Sequence, residues 1–167
     1  GRGVLIDAEH SREVDWLEPG EAVNRAELEA IVKAQGVEIG EGDIMVFRNG
    51  HHARRLALGP WSNDYPPSGQ GKAGLHVDTI PWMPERKIAA FFPDGDGETV
   101  PSNVEGMTYP IHPLQLTAMG MLVSDSLQLE EVHQACLEEK RWDFMVVGLP
   151  LRLPGATGSP WNPIALF

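Results

Sequence analysis

The chain has 167 residues, 42% of them apolar and 22% charged, which is enough for one core of ordinary size and too little for two typical domains. A formal charge of −11 without any Lys/Arg cluster excludes the electrostatic footprint of a nucleic-acid binder, so the expected partners are small molecules or other subunits. No apolar run approaches the roughly 18 residues that span a bilayer, and the first residues lack the basic start and apolar middle of a signal peptide. Neither a membrane nor export is expected, and the single Cys136, which cannot close an intramolecular disulfide, suits a cytoplasmic setting.

Gly1-Arg2-Gly3 runs straight into the apolar Val4–Asp7 with no initiator methionine, and further residues are expected upstream. Val4 to Asp7 reads as a strand. The segment that follows, "HSREVDWLEPGEAV", is polar and turn-rich. Asn24 followed by Glu27 forms a capping box that opens a helix over about 25–35, with Leu28, Ile31 and Val32 on one face and Gly36 as its left-handed stop. Ile44–Phe47 with Arg48 is a continuous apolar run, the pattern of a strand buried on both faces. From His51 to Gly74 the sequence fills with Gly, Pro, Ser and Asn, which predicts a long loop near a ligand site.

"IAAFF" (88–92) predicts another buried strand, closed by the turn "PDGDGE". A short helix around Leu114, Leu116 and Met119, a strand over Met121–Val123 and an amphipathic helix over Leu129–Lys140 come next. "DFMVVGLPLRL" and "NPIALF" supply two closing strands on either side of "PGATGSPW". Strands alternating with helices predict an α/β or α+β fold with a mixed sheet.

The motifs of dinucleotide, phosphate and serine-nucleophile sites are absent, and one cysteine rules out a zinc ribbon. "DGDGE" lacks the ligand spacing of a calcium loop and reads as a solvated acidic turn. Of the histidines, His51 and His52 either line a loop surface or serve a site, and His133 reads as solvated on the last helix among Glu130, Glu131 and Gln134. Prolines on both sides restrict the backbone at His112, and Asp125 directly follows the Met121–Val123 strand. A His and a carboxylate at the mouths of adjacent elements can share a hard or borderline ion, although two residues alone do not make a metal site. "GLHVDTIP" (74–81) is open between half of a metal site and a helix opening.

Several stretches taken together, "GRGVLID", "WLEPG", "AQGVEIGEGDIMVFRNG", "HVDTIPWMPERKIAAFFPDG", "PIHPLQLTAMGM" and above all "LPLRLPGATGSPWNPIALF", resemble the cyclase family of metal-dependent hydrolases, which includes bacterial kynurenine formamidases and isatin hydrolases. The resemblance runs the length of the chain. It implies a single cyclase-like domain over 1–167, a β/β/α fold with a mixed central sheet, a homo-oligomer, and hydrolysis of amide, formamide or cyclic-amide bonds in a small-molecule substrate with Zn or Mn as cofactor. His112 and Asp125 match the family's downstream metal ligands, Asp94 falls at a structural turn, and Arg152, Thr157, Gly158 and Ser159 match the terminal motif that shapes the fold and pocket floor. The family's principal motif, H-x-G-T-H-x-D-x-P-x-H, is expected upstream of the first strand, and the alternative is a non-catalytic relative that lacks it. "GLHVDTIP" is not that motif: Lys72 stands where its first His belongs and Met83 where its last does, so His76 and Asp78 are assigned to a helix opening. Trp61 and Tyr65 in the long loop, and Trp82, are candidate aromatic surfaces for substrate.

Overall fold

The computed structural model describes residues 1–62 and 69–167. A six-stranded mixed sheet forms its centre, built from β1 (Arg2–Asp7), β3 (Ile44–Arg48), β5 (Ala90–Pro93), β6 (Leu122–Val123), β7 (Asp143–Val147) and β8 (Ile164–Leu166) in the order β6-β5-β3-β1-β7-β8. The first four strands run parallel; β7 lies antiparallel to β1, and β8 antiparallel to β7. Two-residue strands β2 (Ala22–Val23) and β4 (Gly74–Leu75) form a separate parallel pair.

The continuous apolar runs are explained by burial on both faces. In β1, Val4 and Ile6 join the core cluster that holds Leu28, Ile31, Phe47, Trp82 and Phe91, while Leu5 joins the one on the opposite face with Val46, Phe92, Cys136 and Phe144. Helix α2 (Arg25–Ala34) covers the first face, with Leu28 and Ile31 buried, and opens as its capping residues require: the Asn24 carboxamide oxygen accepts from Glu27 N–H at 3.0 Å. Gly36 follows it at φ +64, the left-handed conformation that glycine adopts without strain. On the other face lies α6 (Glu130–Glu139), which buries His133 and Cys136. Burial pushes the Cys136 thiol up to about 12, so it packs as a small apolar group.

Three expectations need correction. The polar segment after β1 begins with a short helix, α1 (Ala8–Arg12), and the loop expected from His51 opens with α3 (His51–Leu58). Both start where a parallel strand ends, a tertiary arrangement that overrides the turn-rich composition. His133 is buried rather than solvated, with its Nδ1 2.7 Å from an Asp7 carboxylate oxygen. That carboxylate also pairs with the buried Arg48, which reaches Glu9 at 2.6 Å, so a buried ionic network closes the carboxyl ends of β1 and β3. The remaining short elements are α4 (Trp82–Glu85) and α5 (Ile111–Pro113), the latter continuing as a π-helical turn over Leu114–Ala118.

Candidate functional site

In a parallel sheet the carboxyl ends of the strands share one edge, and ligands bind in the crevice outside it. Here Asp7 closes β1, Arg48 closes β3, Asp94 follows β5, and Ser124 and Asp125 follow β6. His112 reaches the same edge on α5, with Pro110 before it and Pro113 after it.

His112 and Asp125 meet. The imidazole Nε2 lies 3.2 Å from an Asp125 oxygen, and its Nδ1 lies 2.5 Å from Glu98 Oε1. Hydrogen bonds to Asp125 and then Glu98 raise the imidazole pKa from 6.5 to about 9, outweighing burial, which acts the other way. Asp125 is exposed and His112 half-buried, so the face between them is open to a ligand. Both belong to the donor types that hold borderline divalent ions, and the two fit such an ion as part of a larger set. Among the described residues no group of three or more His, Cys, Asp or Glu side chains is placed to hold a metal ion.

Glu98 was hidden in "DGDGE". Far from being a solvated acidic turn, this loop buries Asp94 and Glu98. The Asp94 carboxylate accepts backbone N–H groups from Asn49, Gly50 and His51 at 2.8–3.2 Å, holding the entrance of α3 against β5, and burial pushes its pKa up to about 7. Asp96 pairs with Lys72, which is fully buried and places its ammonium 4.5 Å from the centre of the Tyr109 ring. Glu98 accepts the Ile111 N–H at 2.8 Å. The solvated reading failed because the partners are backbone N–H groups and side chains from other elements, which no local pattern reveals. The one usable signal was three acidic residues spaced two apart between glycines, a backbone able to aim carboxylates in different directions.

"GLHVDTIP" turns out to be the scaffold of this loop. Leu75 N–H donates to Gly97 O at 2.8 Å, and Thr99 N–H donates to Leu75 O at 3.2 Å, so β4 holds Glu98 from behind. His76 opens a 3₁₀ turn over Val77–Thr79, its Nδ1 accepting from Asp78 N–H at 3.2 Å. Asp78 does satisfy an early helical N–H, but it is that of Arg25 in α2, at 3.0 Å.

The aromatic candidates separate. Trp61 donates its indole N–H to Gly71 O at 2.9 Å and lies with its ring centre 4.8 Å from that of the buried His51 and 4.4 Å from the Arg54 guanidinium carbon. Tyr65 lies outside the described residues. Trp82 is wholly buried in the core and offers no surface to a substrate. His51 is likewise enclosed, and burial lowers its pKa to about 4, which keeps it neutral. Together with His52, Arg55, Pro60, Asp94 and Ser126 it lines a cavity of about 340 Å³. In the terminal motif, Leu151 N–H donates to the Ser159 hydroxyl at 3.0 Å, and Thr157, Gly158 and Ser159 line a separate surface depression beside β6.

Residues 1–95 match the family described as "Putative cyclase". A crystal structure of a novel cyclase is 31% identical over the whole of this chain and 53% of its own, with a TM-score of 0.83. Isatin hydrolase A from Ralstonia solanacearum is 22% identical, covers 98% of this chain and 59% of its own, and superposes with a TM-score of 0.72. An isatin hydrolase bound to the product analogue thioisatinate gives 20%, 100%, 60% and 0.69 for the same measures. This chain therefore spans little more than half the length of the structures it matches. No curated protein matches it. Among the described residues no helix is long and apolar enough to cross a membrane.

Proposed function

The chain belongs to the cyclase family, and on that premise we propose that it carries part of the active site of a divalent-metal-dependent hydrolase of amide, formamide or cyclic-amide bonds. The single observation that supports this reading best is the juxtaposition of His112 Nε2 and the Asp125 carboxylate, 3.2 Å apart at the carboxyl edge of the sheet. In this reading the two residues donate to one Zn or Mn ion, and the rest of its shell comes from donors beyond this pair. When bound, such an ion supplies Lewis acidity, lowering the pKa of a water and polarising a carbonyl.

The chain's own contribution is to hold and orient. Pro110 and Pro113 fix the backbone on either side of His112, and the exposed Asp125 carboxylate faces the ring from the end of β6. Trp61 belongs to the reading as an aromatic wall toward a planar substrate, and Tyr65, four positions on in the sequence, is assigned to substrate binding by its aromatic chemistry alone. Homo-oligomerisation is part of the same reading, and the exposed apolar side chains of Met145, Val147, Ile164 and Leu166 on the outer strands β7 and β8 support it.

The test is hydrolysis of a small panel, formyl-kynurenine, isatin and simple cyclic imides, by the full-length protein with added Zn²⁺ or Mn²⁺ and after chelation. Turnover that chelator abolishes and metal restores is expected; absence of turnover on every member, with metal present, overturns the hydrolase reading. A second reading, a non-catalytic cyclase-fold binding or structural protein, is favoured by the lack of a three-donor cluster among the described residues. Metal content after gel filtration separates the two: stoichiometric Zn or Mn belongs only to the hydrolase.

A further inference from the structure

We propose that Glu98 is the positioning residue for His112, keeping a proton on Nδ1 so that Nε2, on the side of Asp125, is the nitrogen that gives up its proton and takes a divalent ion. The inference rests on the metal-dependent reading above and assigns a role to a carboxylate outside the ligand pair.

Three observations carry it. Glu98 is almost wholly buried, 1% exposed, and burying a carboxylate is costly unless its oxygens find donors. Both oxygens do: Oε2 accepts from Ile111 N–H at 2.8 Å, and Oε1 lies 2.5 Å from His112 Nδ1 and 3.4 Å from His112 N. An ionised carboxylate only accepts, so the Nδ1 contact requires a proton on that nitrogen; Nε2 likewise donates to Asp125 in the metal-free ring, and it is the Nε2 proton that is lost when the ring becomes a neutral ligand. The carboxylate is held in turn, because Gly97 O and Thr99 N–H on either side of it are hydrogen-bonded to Leu75 of β4. A carboxylate on the distal nitrogen of a metal-ligating imidazole fixes tautomer and ring orientation and raises ligand basicity.

The geometry also says why the residue is Glu rather than Gln. Three N–H groups, the backbone ones of Ile111 and His112 and the His112 Nδ1–H, converge on its two oxygens, and a carboxamide offers one oxygen and one NH₂. A Gln that keeps the Ile111 bond turns its NH₂ toward Nδ1, which makes Nδ1 the acceptor and moves the ring proton to Nε2, the position needed for metal.

The test uses the full-length protein labelled with ¹⁵N-histidine. In the metal-free wild type the His112 Hδ1 proton is expected as a downfield, slowly exchanging resonance, assigned by its loss in His112→Asn, and Glu98→Gln is expected to abolish it. Titration with Zn²⁺ against a competing chelator should show Glu98→Gln binding 10- to 100-fold more weakly, about the loss typical of such outer partners, with circular dichroism confirming that the variant is folded. A wild type without the protected Hδ1, or a folded Glu98→Gln with Zn²⁺ affinity within about twofold of wild type, overturns the positioning role alone. Should Glu98→Gln fail to fold, the Zn²⁺-loaded wild type decides: coordination through Nε2 with Nδ1 protonated supports the role, coordination through Nδ1 overturns it. Failure of the wild type to take up Zn²⁺ or Mn²⁺ overturns the metal-dependent reading itself and the positioning role with it.

Discussion

His112 stands between two carboxylates, and its titration should be visible in the stability of the metal-free protein. Its pKa rises from 6.5 to about 9 on folding, so the stabilisation is fully present below pH 6.5 and is lost as pH rises through about 9. Glu9 and Asp94, raised by burial to about 7, act in the same direction but complete their change near neutrality, and the Cys136 thiol contributes only above its unfolded value of 9. The interval between pH 7 and 9 therefore belongs mainly to His112. Thermal melts across it should show a falling midpoint, and His112→Asn should flatten that slope; an equal slope in the variant would assign the effect elsewhere. The neighbouring network shows the same physics with opposite legibility. Arg48 and His133 reach Asp7 and Glu9 from far along the chain, His133 meeting Asp7 across 126 positions, so local polarity on α6 misrepresented a histidine that is a buried partner.

Among the elements, β4 has more influence than its two residues suggest. Gly74 lies so close to Glu98 that a Cβ there would overlap the Glu98 backbone, and the β4 hydrogen bonds hold the loop that carries that carboxylate. Gly74→Ala should therefore destabilise the fold by about 1–3 kcal/mol, the usual cost of overpacking, and weaken Zn²⁺ binding at the same time. Urea unfolding and a metal titration check both, and a stability loss with intact metal affinity would separate β4 from the site. At this scale the sequence was read well where one face of an element packs continuously: α2 runs over Arg25–Ala34 and α6 over Glu130–Glu139, near their expected bounds. Reading failed where burial is set by other elements, as in α3, which begins at a left-handed Gly50 whose absent Cβ leaves room for Trp16.

Over the whole molecule, the sheet is covered on both faces only near its centre. Antiparallel register pairs Met145 with Leu166 and Val147 with Ile164, which sets all four on one face of the β7–β8 ribbon, while Phe144 and Val146 point into the core on the other. Those four are exposed, as are Leu149, Leu151 and Leu153 just beyond, forming an apolar strip on a chain of net charge −11. If a second copy covers this strip, as the oligomeric reading holds, Val147→Lys with Leu166→Lys should convert the assembly to monomer in sedimentation velocity without unfolding it. Unchanged sedimentation of the folded double variant would place the subunit contact on another surface.

The sequence by itself determined the α/β class, the mixed sheet and the capped helix α2, because continuous apolar runs, helical periodicity and capping residues act over a few neighbouring positions; the family followed from the resemblance of whole stretches such as "LPLRLPGATGSPWNPIALF". It also brought His112 and Asp125 forward as a pair. Only the tertiary structure decided that Glu98 stands behind His112, that β4 within "GLHVDTIP" supports the loop carrying that carboxylate, and that His133, Asp94 and Trp82 are interior. Each of those outcomes depends on polar or apolar partners brought from distant parts of the chain, and burial of this kind is a property of the assembled layers.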